Sequence, residues 1–573
     1  MAELRLAGRG AAPGLAQGVV SVLDAPARRT GRAAGSPAEE RAALLGALEQ
    51  ARAEVEALAA ATGGEAADML GFQAAMLADD ELARPALDAV AAGAPAPAAW
   101  EQAMAAEAAV YAGCGDPVMA ARTTDLDDMR DRVLAQLAPP GARAAPPPGA
   151  VILASDLPLS RFLALDWSRG GAIVLTEGSP GGHVAMLARA RSVPMVVGLG
   201  VVGLGVLGLG VLGLGAASAG ALAGREALVD ATAGEVTLDP DEGTRVAFAA
   251  RLGEATAARG QAARFRAAPA VTADGTRILV NLNISDVAEL DGLDPAICDG
   301  IGLVRTELLF HGVGGGASGR ATGGAAGVAA GDTAGLPGED VQHAAYRRIV
   351  EWAAGRPVVV RVLDAGGDKP VPGVTPAGES NPFLGLRGLR LLLRHPALFR
   401  TQLRALARAA AHGDVRVMLP MVTVPEELDA ARALLDAAVH ELAEEGVTAR
   451  RPMLGIMVEV PAAAISVHRF GAEFFSIGSN DLTQYVTAAG RDIGSVASLA
   501  DPLNPAVLSL VGTVARHGRA HGLGVSLCGD AAADPRCIPQ LLAAGLRALS
   551  VAPDAVGRTK QAVAAVRLVL EAP

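Results

Sequence analysis

The feature that most constrains this chain is a rhythm in its second half. Eight apolar runs recur there, RILVNLNI, GIGLVRTE, PVVVRVLD, VRVMLPM, LGIMVEV, FFSIGSND, GVSLCGD and ALSVAP, with helical or loop segments between them. Eight buried strands alternating with helices is the count that closes a (βα)8 barrel. Such barrels present their reactive groups at the strand ends. Arg305, Arg361, Glu459, Asn480, Asp481 and Cys528 all fall at or just past the last apolar residue of a run. Strands also end in polar residues simply because they emerge into solvent, so one such residue means little. Six of complementary chemistry point to a site.

The first half reads differently. Residues 37–136 are rich in Ala, Leu, Glu and Arg at helical spacing, as in PAEERAALLGALEQARAEVEAL and DLDDMRDRVLAQL, which predicts a helical block. The cluster PPGARAAPPPG (139–149) closes it. The short runs AVILAS, GGAIVLTE, VPMVVG and REALVDATAGEVTLD then predict strands of a compact α/β unit, completed by the N-terminal LRLAGRGAAPGLAQGVVSVL. A polar, Ala/Arg-rich stretch around 245–268 is expected to be a helical linker. A chain of 573 residues exceeds one ordinary core, so two or three domains are expected.

Two segments invite other readings. Gly198 to Ala216 is uncharged and long enough to suggest a membrane span. Its near-alternating glycines each cost a helix about 1 kcal/mol relative to Ala, and it has no flanking basic or aromatic anchors, so a low-complexity loop is expected. The Gly/Ala-rich insert 312–338 is expected to be a flexible loop. A formal net charge of -12 argues against nucleic-acid binding. Four scattered cysteines without metal-ligand spacing fit a reducing compartment. The N-terminus MAELRLAGRGAAPG carries charges where a secretory signal needs an apolar core, so cytoplasm is the expected location.

The residue types at the strand ends suggest a ligand. Guanidinium forks match phosphate and carboxylate oxygens, which suits Arg305 and Arg361 to a ligand carrying both groups. Glu459 and Asp481 are oxygen donors of the kind Mg²⁺ prefers. Together they describe a phosphorylated carboxylic acid held through a divalent metal; the competing reading is a set of buried salt bridges. Cys528 is either a small core hydrophobe or a proton donor facing the anion. His183, after SPGG and before an apolar helix-forming run, is either an ordinary helix-start histidine or a nucleophile placed where backbone N–H groups favour an incoming phosphate.

These segments resemble enzyme I of the phosphoenolpyruvate:sugar phosphotransferase system along nearly the whole chain. GRGAAPGLAQG is similar to its N-terminal segment, RTTDLDDMRDRVL to its helical domain, and SDLPLS with GGHVAMLAR to its phosphohistidine domain. NLNI, GIGLVRTELLF, VRVLDAGGDKP, ESNPFLGLRGLR, VRVMLPMV, GIMVEVPAA, FFSIGSNDLTQY and CGD resemble its barrel motifs in order. The resemblance implies an α/β multidomain fold. A phosphohistidine α/β domain (1–25 and 140–244) would carry an inserted helical HPr-binding subdomain (26–139). A helical linker (245–268) would lead to a phosphoenolpyruvate-binding (βα)8 barrel (269–573).

It further implies His183 as the phosphorylated residue, Arg305 and Arg361 on the substrate phosphate, and Arg387 as a further substrate-site arginine. Glu459 and Asp481 would be the Mg²⁺ ligands, with Asn480 beside the phosphate, Arg491 at the substrate's other end and Cys528 as proton donor. The implied partners are phosphoenolpyruvate, the phosphocarrier protein HPr and a second copy of the barrel, with neither nucleic acid nor membrane insertion. The chain departs from the family pattern at Gly181 and Gly182, where Thr-Ser is usual, at Asp530 in place of Glu, at Gly490 in place of Asp, and at Ala75 where many relatives have His. Pyruvate phosphate dikinase and phosphoenolpyruvate synthase share the histidine domain and barrel but add a nucleotide-binding domain that has no counterpart in these motifs. An enzyme I-like regulatory protein without turnover is the other alternative.

Overall fold

The computed structural model describes residues 3–23, 35–62, 64–113, 123–138, 146–178, 183–199, 222–311, 336–367, 371, 374–376, 379–490, 496 and 499–568. The glycine-rich segments at 198–216 and 312–338 fall almost entirely outside these residues. The chain divides into two compact units, Met1–Ala257 and Ala258–Pro573.

The first unit holds a mixed eight-stranded sheet. Its strands are β1 (Leu4–Ala7), β2 (Arg9–Ala12), β3 (Leu15–Val22), β4 (Val151–Ala154), β5 (Ala172–Leu175), β6 (Met195–Val197), β7 (Glu226–Asp230) and β8 (Glu235–Leu238), in the spatial order β1-β8-β7-β3-β4-β5-β6-β2. β3 through β6 pair in parallel and the rest antiparallel. VILA and AIVL are apolar throughout because both faces of the central strands are covered. Val151, Leu153 and Val174 point into one cluster, while Ile173 and Leu175 join Phe162, Ala185 and Ala188 on the other side.

The run REALVDATAGEVTLD forms the two strands β7 and β8. Asp230 accepts hydrogen bonds from the N–H groups of Thr232 and Ala233 at 3.1 and 2.9 Å, and Gly234 takes φ 77°, which turns the chain back on itself. The helical block comprises helices Pro37–Ala61, Gly64–Leu77, Asp80–Ala91, Ala96–Gly113 and Thr123–Leu137 around Leu44, Val55, Leu70, Trp100 and Met129. Ser36 begins it with a capping box, its N–H donating to Glu39 Oε2 at 2.7 Å.

The second unit is a closed parallel barrel in chain order. Its strands are β9 (Leu279–Ile284), β10 (Ile301–Val304), β11 (Val358–Arg361), β12 (Val415–Leu419), β13 (Met453–Val458), β14 (Phe474–Gly478), β15 (Gly524–Cys528) and β16 (Ala548–Val551). Seven of the eight runs read from the sequence contain one of them whole, and LGIMVEV contains all of β13 but Met453. Alternate residues face two environments. Val358, Val360, Val417, Leu419, Ile456, Val458 and Leu527 join the large cluster under the helices, and Leu303, Val359, Met418, Met457, Phe474 and Cys528 fill the barrel interior. Gly455 on β13 makes room for this filling, since a Cβ there would lie 2.5 Å from the Phe474 ring. Among the described residues no helix is long and apolar enough to cross a membrane.

The last helix, Val556–Ala565, is stapled to the start of the barrel by Lys560. This side chain is 3% exposed, and its ammonium donates to the carbonyls of Arg266, Ala268 and Ile297, each at 2.8 Å. Lys560→Met keeps the stem but strands three carbonyls, so a loss of about 2–4 kcal/mol is expected. Urea unfolding followed in the barrel should show a lower midpoint at unchanged slope; an unchanged midpoint would contradict the staple.

Candidate active site

Arg305 is the first residue past β10 and lies exposed at the rim, its N–H donating to the carbonyl of Ile284 at 2.8 Å. Arg361 ends β11 and Cys528 ends β15. Glu459 follows β13, and Asn480 and Asp481 sit in the first turn of helix Ser479–Thr487, which starts directly after β14. Arg387 reaches the same place from the loop before helix Leu389–Arg394 and is 1% exposed. Arg491 lies outside the described residues. His183 belongs to the first unit, where it is the first residue of helix His183–Ala190; its side chain and the preceding Gly181 and Gly182 also lie outside them.

The centre of the site is an ionic lattice. Arg387 grips Asp364 with two nitrogens, Nε to Oδ1 at 3.1 Å and Nη2 to Oδ2 at 3.0 Å, and the same Nη2 meets Asp481 Oδ2 at 3.0 Å. Arg361 pairs with Asp364 at 3.1 Å, forms a short ion pair with Glu307, and turns Nη1 toward Met457 Sδ at 3.8 Å. Glu459 accepts the N–H of Met421 at 2.7 Å, with Met421 in the left-handed region at φ 58°. A non-glycine residue held there stores backbone strain of about 1–3 kcal/mol, which the surrounding packing sustains so that the N–H points at the carboxyl group.

Glu307 and Asp364 were not singled out from the sequence. Their signal was present in the spacing, Glu307 two residues after Arg305 in VRTE and Asp364 three after Arg361 in VRVLD. What the sequence lacked was any sign that both carboxylates turn inward. Asn480 and Asp530 exchange two bonds, Asn480 Nδ2 to Asp530 Oδ2 at 3.3 Å and Asp530 N–H to Asn480 Oδ1 at 3.0 Å.

Among the described residues, with everything ionised, two buried guanidiniums, Arg361 and Arg387, face four carboxylates, Glu307, Asp364, Glu459 and Asp481, leaving a surplus of two negative charges. A low-dielectric interior does not tolerate that surplus. Burial, reinforced by the nearby Asp481 and Asp364 charges and opposed by Arg361 and Arg387, pushes the Glu459 carboxyl up to about 8. Among the described residues Asp481 Oδ1 is buried without a hydrogen-bond partner. Excess negative charge and an unpartnered carboxylate oxygen fit a divalent cation. Among the described residues no three His, Cys, Asp or Glu side chains converge as a ready cage, so the protein's share is a carboxylate pair, the number Mg²⁺ commonly takes alongside substrate oxygens and water.

Burial also raises the Cys528 thiol above its ordinary range, against the Arg361 charge that lowers it. The sulfur lies 3.6 Å from the carbonyl oxygen of Ile477. At neutral pH the group is therefore a thiol, able to give a proton and poorly suited to attack as a thiolate.

Comparison with known proteins gives this arrangement its relatives. Residues 259–568 match the PEP-binding domain of PEP-utilising enzymes, residues 146–234 their mobile domain and residues 7–122 their N-terminal domain. The chain belongs to the PEP-utilising enzymes. A phosphoenolpyruvate-protein phosphotransferase of Streptomyces coelicolor is 37% identical over 460 residues, covering 78% of this chain and 73% of that protein. A protein of the same name from Haloferax volcanii is 36% identical over 455 residues, covering 78% and 73%. A multiphosphoryl transfer protein of Rhodobacter capsulatus is 35% identical over 466 residues, covering 81% of this chain and 52% of that protein. The chain thus spans about half the length of the multiphosphoryl transfer proteins it matches. The resemblance read from the motifs is borne out at the level of the family.

Within the PEP-binding domain of this family member, Glu459 makes a pH test of the lattice. The metal-free folded protein keeps the Glu459 proton up to about 8, while the unfolded chain gives it up near 4.5. The native state therefore binds more protons across that window, and its stability falls as pH rises through it. Melting in EDTA should show Tm dropping from about pH 5 to pH 8, and Glu459→Gln should flatten that slope. Equal slopes in the two proteins would contradict the assignment.

Proposed function

We propose that this chain is a phosphoenolpyruvate-dependent protein phosphotransferase that takes the phosphoryl group onto His183 and passes it to the phosphocarrier protein HPr, the opening step of a sugar phosphotransferase system. The observation that carries this reading is the pairing, at one barrel end, of a buried arginine lattice with a thiol held protonated. A phosphorylated enol needs both: cations where negative charge accumulates and a proton for the carbon left behind. Membership of the PEP-utilising enzymes supports the substrate, and the names of the relatives support a protein as acceptor.

The residues divide the work as follows. Arg305, exposed at the rim, and Arg361, fixed by Glu307 and Asp364, bind the substrate phosphate. Arg387 holds Asp364 and Asp481 in place and lends its charge to the same region. Asn480 stands beside the phosphate, oriented by Asp530, and Arg491 meets the substrate's carboxylate end. Glu459 and Asp481 would hold Mg²⁺, whose chemistry when bound is to neutralise charge on the phosphoryl oxygens. Fixed donors and cations of this kind need no reorganisation as the P–O bond lengthens, which is where most of the acceleration in phosphoryl transfer arises. His183 accepts the phosphoryl group through a neutral imidazole nitrogen. Cys528 then protonates C3 of the enolate to give pyruvate.

The domain assignment follows the same reading: 1–25 with 140–244 carry the phosphohistidine, 26–139 dock HPr, 245–268 link, and 269–573 bind phosphoenolpyruvate. The protein is expected in the cytoplasm as a homodimer through the barrel.

Incubation with phosphoenolpyruvate labelled in its phosphoryl group, with Mg²⁺, should give an acid-labile, base-stable label that is absent from His183→Ala and chased by added HPr. No label on the parent protein would overturn the phosphotransferase reading, and a label that HPr does not remove would overturn the acceptor. Cys528→Ala should slow pyruvate formation by about 10²–10⁴-fold, the usual worth of a positioned general acid, with little change in substrate affinity. An unaffected rate would return Cys528 to the barrel's inert filling.

A further inference from the structure

Donation by Cys528 leaves a thiolate in the barrel interior that must be protonated again before the next cycle. Cys528 is 3% exposed, and the hydrogen bonds of its sulfur run to the Ser476 hydroxyl and the Ile477 carbonyl. The hydroxyl, Ser476 Oγ, lies at 3.9 Å. Ser476 is fully buried and in turn accepts a hydrogen bond from Ser526 Oγ at 3.1 Å. Ser526 is only partly buried. The three residues stand on neighbouring strands in register, Ser476 opposite Ser526 and Gly478 opposite Cys528, so their side chains share the interior face of β14 and β15.

We propose that Ser526 and Ser476 form a hydroxyl relay that returns a proton to Cys528; this rests on the phosphotransferase reading above. The direction of the bonds is the one that reprotonation of the sulfur requires. Ser526 donates to Ser476, and Ser476 donates to the sulfur, while the thiol's own hydrogen has a separate acceptor in the Ile477 carbonyl. When the S–H bond breaks and its proton forms the new C–H bond of pyruvate, the sulfur keeps the electron pair. In one concerted shift Ser476 passes its hydroxyl proton to the thiolate, Ser526 passes its own to Ser476, and water at the accessible side of Ser526 supplies the last one, its hydroxide leaving to solvent. One proton enters for each proton leaving, and no charge accumulates along the chain. Burial that raises the thiol favours the uptake, since the thiolate is the less stable form in this interior.

The relay predicts an isotopic signature. Protein equilibrated in H2O is mixed into excess D2O with Mg²⁺ and phosphoenolpyruvate, and the methyl group of the pyruvate formed is examined by NMR. In the parent, the relay exchanges the thiol proton with solvent before turnover, so the product is mainly CH2D. Ser476→Ala and Ser526→Ala each cut one link and should raise the CH3:CH2D ratio about tenfold or more. Ser526→Thr, which keeps a hydroxyl, should restore the parental ratio. The ratio is read on product already formed, so it does not depend on the folded fraction, and Ser526→Ala at a partly exposed position covers the case where Ser476→Ala does not fold. A parental ratio in both alanine variants, or mainly CH3 from the parent, overturns the relay with the phosphotransferase reading intact. A parent that forms no pyruvate overturns both.

Discussion

The barrel's working end depends on charge balance in a space that excludes water. Arg361 and Arg387 are almost wholly buried, and each is held by carboxylates: Glu307 and Asp364 on one, Asp364 and Asp481 on the other. Asp364 is the shared member, so it fixes the spacing of the two guanidiniums. Removing one partner from such a buried lattice exposes the rest as uncompensated charge, a cost of about 3–5 kcal/mol. The surplus of carboxylates over guanidiniums makes the lattice incomplete without a proton or a cation. An anionic substrate could not enter if that surplus stood alone, which ties substrate binding to whatever neutralises Glu459 and Asp481.

The same constraint explains how much was legible beforehand. The barrel was readable because both faces of its strands are covered, which writes each strand as an uninterrupted apolar run such as VVVR or FFSIG. Residues at the ends of those runs were readable for the same reason: Arg361, Glu459 and Cys528 stand where apolar sequence stops. Arg387 was not readable in this way, because a loop carries it inward and loop sequence holds no period. Family resemblance marked Arg387, while Asp364, although it closes the run PVVVRVLD, took its role only from the geometry that bonds it to both arginines. Ser476 was hidden more deeply, as a small polar residue inside an apolar run whose neighbour across the sheet cannot be known before the strands pair.

In the first unit the limit was of a different kind. The apolar pattern marks where strands occur but does not count the turns between them, so one run resolved into the β7–β8 hairpin once Asp230 and Gly234 were seen to turn the chain. The helical block was legible because its boundary chemistry is local, with Ser36 and Glu39 closing the first turn within four residues of sequence.

The departure at Asp530 can now be judged on distances. The Asp530 carboxylate accepts from Asn480 Nδ2 at 3.3 Å, and the second bond, from the Asp530 backbone N–H to Asn480 Oδ1 at 3.0 Å, is independent of side-chain length. Gly529 makes this possible. It sits at φ 96°, and a Cβ at that position would lie 2.7 Å from Asn480 Oδ1, so the backbone approaches the amide more closely than any other residue would allow. Substituting Gly529 would therefore push the two partners apart.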